Sequence, residues 1–113
     1  MNLQFEQPRP ISKNEALLAL SSDCVDVVAT TLVRIALWEP DWPWAEDIFL
    51  KSLGDKRKEV RSAALTSLGH LARLHRTLHV SLVLPAITEL LIDPDCAGVA
   101  QDALNDIRMF VRD

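Results

Sequence analysis

Polar and glycine- or proline-containing segments separate stretches in which apolar residues recur at helical spacing. The longest stretch runs from about residue 56 to residue 74, where Val60, Ala64, Leu68 and Leu71 fall on one face. Apolar residues three and four positions apart are typical of an amphipathic helix, whereas a half-buried strand requires strict alternation. No segment sustains that alternation, so the pattern predicts an all-α chain.

Capping and proline signals divide the chain into six predicted helices. Ser12 and Glu15 form a capping box, and Asp41 precedes a proline in the first turn of a helix. The other predicted boundary residues are Asp23 and Asp55 as N-caps and Gly54 as a C-terminal glycine. Connections of two to five residues favour antiparallel neighbours. The sequence predicts one domain, 1–113, which begins with an extended segment at 1–11. Three hairpins follow at about 12–38, 41–75 and 79–111. Their six helices are predicted at about 13–20, 24–38, 42–53, 56–74, 80–91 and 96–110.

The three hairpins share apolar positions at offsets of 33 and then 39 residues. Because one hairpin cannot bury its own apolar face, three similar copies indicate a stacked α-solenoid. The aligned positions are Val27, Leu32 and Ile35 in the first hairpin, Val60, Leu65 and Leu68 in the second, and Val99, Leu104 and Ile107 in the third.

Composition and charge exclude several classes of protein. A chain of 113 residues with 49% hydrophobic and 25% charged residues is typical of one globular domain. The net charge of −4 argues against nucleic-acid binding, which needs a surplus of Lys and Arg. With neither a signal-peptide pattern nor an apolar run long enough to span a bilayer, we expect a cytoplasmic protein without membrane contact. Cys24 and Cys96 form no CxxC motif, so we expect both to be free thiols. We expect neither a bound metal nor a cofactor.

The second hairpin resembles a HEAT repeat through the segments 53–55, 59–65 and 68–69. In that family an Asp in the turn within the repeat and an Arg six residues later form a hydrogen-bonded ladder between repeats. Asp55 and Arg61 match this spacing. The resemblance therefore implies a short HEAT-like α-solenoid in which these two residues have a structural role.

A second resemblance covers residues from about Leu37 to Ile107. Its motifs are Glu39–Trp44, Val60–Arg61, Leu68–His75 and Gln101–Ile107. They resemble a group of small bacterial HEAT-like proteins similar to the immunity proteins of polymorphic toxins and of contact-dependent growth inhibition (CDI). This resemblance implies a protein that binds the C-terminal domain of a cognate toxin, with a nuclease as one candidate, and blocks its active site. The free form is expected to be a monomer.

Two groups of residues are candidates for contact with a partner. Trp42 and Trp44, with Glu39 and Asp41, either fill the gap between hairpins or form an aromatic anchor with an acidic rim, to which Glu46 and Asp47 would add charge. The polar face of the fourth helix is either a solvated face with a polar contact between repeats or a binding groove, which Gln101, Asn105 and Arg112 would continue on the sixth helix. Asp102 and Asp106, four residues apart on one helix face, have a structural or partner-facing role rather than a catalytic one. The predicted contact residues are Glu39, Asp41, Trp42, Trp44, Glu59, Thr66, His70, Arg73, Asp102 and Asp106.

Two other functions remain open at this point. A generic HEAT-repeat adaptor would share the same fold and surface. A lyase or chaperone-type enzyme on a HEAT scaffold would need catalytic groups, but neither a nucleophile–base pair nor a phosphate-binding glycine loop is visible in the sequence. The sequence therefore favours a binding protein without catalytic activity.

Overall fold

The computed structural model describes residues 9–112 and confirms the all-α prediction. Most of the predicted extended segment at 1–11 lies outside the described residues. Within residues 9–112, none of the helices is long and apolar enough to cross a membrane. The helices are α1 (Lys13–Leu20), α2 (Val25–Trp38), α3 (Trp42–Ser52), α4 (Lys58–His75), α5 (Val80–Glu89), which continues into a 3₁₀ turn at Leu90–Ile92, and α6 (Ala97–Phe110).

Three stacked hairpins form the fold. The pairs α1–α2, α3–α4 and α5–α6 each pack together, while α2, α4 and α6 also pack side by side, with α4 in the middle. This arrangement is the predicted HEAT-like α-solenoid. The apolar residues of α4 are buried where this helix packs against its neighbours. They include Val60, Ala64, Leu65, Leu68, Leu71 and Ala72.

Two predicted N-caps are confirmed. The hydroxyl of Ser12 accepts a hydrogen bond from the backbone N–H of Glu15, whose carboxylate accepts one from the Ser12 N–H. Asp41 caps α3 by accepting a hydrogen bond of 3.2 Å from the N–H of Trp44. Both caps satisfy amides that have no partner inside the helix.

Other predicted boundaries were wrong by one or two residues. The N-cap of α2 is Cys24 instead of Asp23, and the hydroxyl of Ser22 accepts a hydrogen bond from the Cys24 N–H. The helix predicted from residue 56 begins at Lys58, because the Asp55 carboxylate binds the N–H and the guanidinium of Arg57 in a turn before the helix.

The helix ends also differ from the prediction. Gly54 directly follows Leu53, the C-cap of α3, as a C-terminal glycine does, but it lacks the positive φ that such a glycine usually has. The left-handed residue is instead Arg76 at the end of α4, with φ 58° and ψ 21°, the one non-glycine residue with positive φ in the described part of the chain. Its N–H donates to the carbonyl oxygen of Ala72, which closes the last turn of α4.

The predicted ladder takes a different form from a direct Asp55–Arg61 side-chain pair. The Arg61 guanidinium donates to the backbone carbonyls of Asp55 and Lys56 at 3.0 and 2.9 Å. It also donates to the Asp93 carboxylate at 3.1 Å, in the turn before α6. Arg61 therefore links the second hairpin to the third, whereas the Asp55 carboxylate binds Arg57.

Candidate functional site

A groove of about 350 Å³ lies between α4 and α6. It brings together residues that the sequence placed in two separate groups, the polar face of α4 and the aspartate pair of α6. Its floor and walls combine apolar and charged side chains. They are Leu65, Thr66 and Arg73 from α4, and Val99, Asp102, Ala103 and Asp106 from α6.

An ion pair closes one end of this groove. Nη1 of Arg73 donates to Oδ2 of Asp106 at 3.0 Å, and the two side chains are 38% and 28% exposed. The other amino group of Arg73 contacts Nδ1 of His70, one turn earlier on α4. Both terminal amino groups of Arg73 are therefore occupied within the chain.

His70 is neutral in this arrangement. Partial burial lowers the pKa of His70 below its usual value, and the neighbouring Arg73 cation lowers it further, while Asp106 acts in the opposite direction. Because Arg73 can only donate, Nδ1 of His70 must be the acceptor, which places the ring proton on Nε2. His70 thus orients Arg73 without adding positive charge to the groove.

Gly69 allows α6 to approach α4 at this point. A Cβ atom at position 69 would lie 2.7 Å from Oδ2 of Asp106, closer than two such atoms can pack. The absence of a side chain lets the Asp106 carboxylate lie over α4, where it meets Arg73. The sequence contained this signal, a glycine inside a helical pattern, but the opposing residue is known only from the structure.

Asp102 and Glu59 are exposed, and neither has a hydrogen bond or ion pair among residues 9–112. Asp102 lines the groove one turn before Asp106, whereas Glu59 lies in the first turn of α4 and is not a lining residue. The structure thus gathers five of the predicted contact residues in and beside one groove: Thr66, His70, Arg73, Asp102 and Asp106.

The other predicted group lies at the start of α3 and is largely occupied by contacts within the chain. Asp41 forms an ion pair of 2.6 Å with Lys13, whose ammonium also lies 5.2 Å from the centre of the Trp44 ring. The hydrogen bond from Lys13, followed by that from the Trp44 N–H, holds the pKa of Asp41 below its usual value. Glu39 accepts a hydrogen bond from the Asp41 N–H. Trp44 therefore lies between the first and second hairpins.

Trp42 lies at the other side of α3, against the third hairpin. Its ring centre is 5.1 Å from that of His79, the N-cap residue of α5. Beside it, Glu46 is only 3% exposed, and its carboxylate accepts a hydrogen bond of 2.8 Å from the His79 backbone N–H. The second carboxylate oxygen of Glu46 lies 2.8 Å from Nδ1 of His79. Trp42 and Glu46 join two hairpins.

Most of the carboxylates that were expected to form an acidic rim around the tryptophans therefore have partners within the chain. Glu46 is buried, and Asp47 forms an ion pair of 3.0 Å with Lys51 on α3. Sequence reasoning treated Glu46 as a surface charge and missed its contact with His79. The available signal was its position within the apolar stripe of α3, one residue after Ala45 and three before Phe49, both of which are fully buried.

Two further features complete the surface. A second groove, of about 320 Å³, lies between α1 and α2 and contains none of the predicted contact residues. Across the described residues, no group of three or more His, Cys, Asp or Glu side chains is arranged to hold a metal ion. The groove between α4 and α6 is the candidate site on which the sequence and the structure converge.

Comparisons with known proteins agree with this architecture. The HEAT repeat family matches residues 47–75, which cover most of α3 and all of α4. Among solved structures, the chain is similar to a protein in the crystal structure of a CDI complex from Cupriavidus taiwanensis LMG 19424, with a TM-score of 0.85 and 32% identity over 96% of each chain. The chain belongs to the small HEAT-like CDI immunity proteins. A comparison with curated proteins finds no match.

Proposed function

We propose that the protein binds the C-terminal toxin domain of its own CDI system in the cytoplasm and blocks that domain's active site. The observation that supports this most is the similarity, over 96% of both chains, to a protein found in a CDI complex. Neutralisation by occlusion needs a complementary surface rather than catalytic groups. We therefore propose a binding role without enzymatic activity.

We further propose that the toxin is a nuclease and that the free immunity protein is a monomer. The net charge of −4 supports a nuclease, because a cleft that binds nucleic acid is basic and attracts an acidic protein. Attraction over distance also speeds the association of two oppositely charged proteins.

Co-expression tests the proposal directly. The experiment uses the C-terminal domain of a CDI toxin encoded next to this protein's gene, and the absence of such a toxin gene would count against the proposal. This domain is induced in Escherichia coli with the wild-type protein, with an unrelated HEAT-repeat protein, or alone. We expect growth only with the wild-type protein, and a one-to-one complex of the purified pair by size-exclusion chromatography with light scattering. The same measurement gives the mass of the free protein, and an assay with RNA and DNA substrates identifies the toxin activity.

A clear negative result is equally informative. If cells expressing both proteins stop growing, and the purified proteins elute separately at micromolar concentration, the proposal is wrong. A toxin that still cleaves its substrate inside a stable complex would instead contradict occlusion of the active site.

A further inference from the structure

We propose that the groove between α4 and α6 receives a lysine or arginine side chain of the toxin domain, with Asp102 as its ionic partner. This inference rests on the proposed function and specifies how the partner is recognised. It depends on the charge, the lining and the size of the groove.

Asp102 supplies the uncompensated charge of the groove. The lining contains two carboxylates and one guanidinium. Arg73 and Asp106 offset each other across 3.0 Å, and His70 is neutral when it accepts from Arg73. Asp102 has no ionic or hydrogen-bonding partner among the described residues. The groove therefore carries a net charge of −1, located on Asp102.

The position of Asp102 relative to Asp106 favours a cation with several donors. The two residues are four apart on α6, so their Cβ atoms lie about 6 Å from each other. Only Oδ2 of Asp106 is hydrogen-bonded to Arg73. Its other oxygen and both oxygens of Asp102 remain available as acceptors, which suits the three donors of an ammonium or the five of a guanidinium.

The rest of the lining suits the alkyl part of the same side chain. Leu65, Val99 and Ala103 form apolar walls next to the carboxylates. Lysine and arginine side chains bury their methylene groups against apolar surface while the charged end stays at a polar rim. A volume of about 350 Å³ is sufficient for one such side chain. An aspartate or glutamate of the partner would instead place a second negative charge beside Asp102.

The test compares Asp102→Asn with Glu89→Gln. Glu89 is an exposed carboxylate at the end of α5, outside the groove, and has no ion pair within residues 9–112. Both variants remove one negative charge, so both lose the same long-range attraction. Affinity for the toxin domain encoded beside this gene is measured by calorimetry or surface plasmon resonance. Circular dichroism checks that both variants keep the wild-type melting temperature.

We expect Asp102→Asn to weaken binding by about tenfold or more, which is about 1.4 kcal/mol, because the substitution removes one member of a close charge pair at the interface. Glu89→Gln should change the affinity by less than about twofold. Each lysine and arginine of the toxin domain is then replaced by methionine. One replacement should cost affinity with wild-type protein and cost almost nothing further with Asp102→Asn, which identifies the cation in the groove.

Each other outcome has a defined meaning. Equal effects of the two variants, or no coupled toxin cation, would overturn the inference and leave the proposed function standing. Tighter binding by Asp102→Asn would mean that the groove receives an anion at Arg73, which also overturns it. If the wild-type protein and the toxin domain do not associate, the proposed function and the inference fail together.

Discussion

Two of the polar contacts between the second and third hairpins differ in burial, and one lies in each helix layer. In the layer of α3 and α5, the Glu46 carboxylate is buried and binds both the backbone and the ring of His79. In the layer of α4 and α6, Arg73 and Asp106 are partly exposed and border an open groove.

The Glu46–His79 contact stabilises the stack, whereas the Arg73–Asp106 pair is accessible to a partner. A buried carboxylate is tolerated only where its hydrogen bonds are made, so Glu46 is committed to the fold. A partly exposed ion pair contributes little to stability, because water solvates its members almost as well. The groups around Arg73 can therefore meet a partner without unfolding the hairpins, and mutations should affect the two contacts differently.

Glu46→Ala should have the largest effect on stability. It leaves the His79 N–H without its acceptor and removes a carboxylate from the start of α5, so we expect the free energy of unfolding to fall by about 2–3 kcal/mol. Urea denaturation followed by circular dichroism measures this value. Asp47→Ala, which breaks an exposed pair with Lys51, is the control and should cost less than about 0.5 kcal/mol. Equal values for the two variants would contradict the structural role of Glu46.

Arg61→Ala should be second in size. This side chain is 15% exposed and forms hydrogen bonds to two backbone carbonyls and to Asp93. Their loss should lower the free energy of unfolding by about 1–2 kcal/mol. Arg57→Ala removes an arginine that forms an ion pair with Asp55 in its own turn, and it should cost about half as much or less. An Arg61→Ala variant as stable as wild type would exclude a ladder function for Arg61.

Gly69→Ala tests the close approach of α6 in the groove. Alanine gains about 1 kcal/mol over glycine in a helix interior, but its Cβ would displace Asp106 from Arg73. Because the displaced ion pair is partly exposed and contributes about 0.5 kcal/mol, we expect Gly69→Ala to stabilise the protein by only about half of the helix gain. In an Asp106→Ala background the clash is absent, so the same substitution should stabilise by the full 1 kcal/mol or so. A double-mutant cycle by urea denaturation measures the difference, and additivity would refute the contact.

His70 should give the smallest effect, visible as a pH dependence. Its pKa is lowered in the folded protein by burial and by Arg73, so the unfolded chain binds the proton more readily. Stability should therefore fall as the pH decreases through the unfolded value of about 6.5 towards the lower folded value, and should be insensitive to His70 above about pH 7.5. Melting temperatures of wild type and His70→Gln between pH 5.5 and 8 provide the test. Parallel curves would show that His70 is not perturbed.

The sequence was sufficient for the hairpins because their signals are local. The apolar stripe of α4, the capping box at Ser12 and the Asp41 cap all act within a few residues. The ion pair across the groove was not predictable, because Arg73 and Asp106 lie 33 positions apart and meet only through the register of α4 against α6. Glu46 was misjudged for a related reason, since its partner His79 follows another helix and two turns. The predicted contact roles of Glu39, Asp41, Trp42, Trp44 and Glu59 remain predictions.

The walls of the groove belong to different hairpins, so its width depends on how the third hairpin is seated. In a repeat stack each unit is held only by its neighbours, and a terminal unit opens more readily than a central one. Whatever binds both α4 and α6 must reduce this opening, which would appear as slower amide exchange along α6. By reciprocity, we expect that loosening the distant Glu46–His79 contact would weaken binding in the groove, which Glu46 does not line.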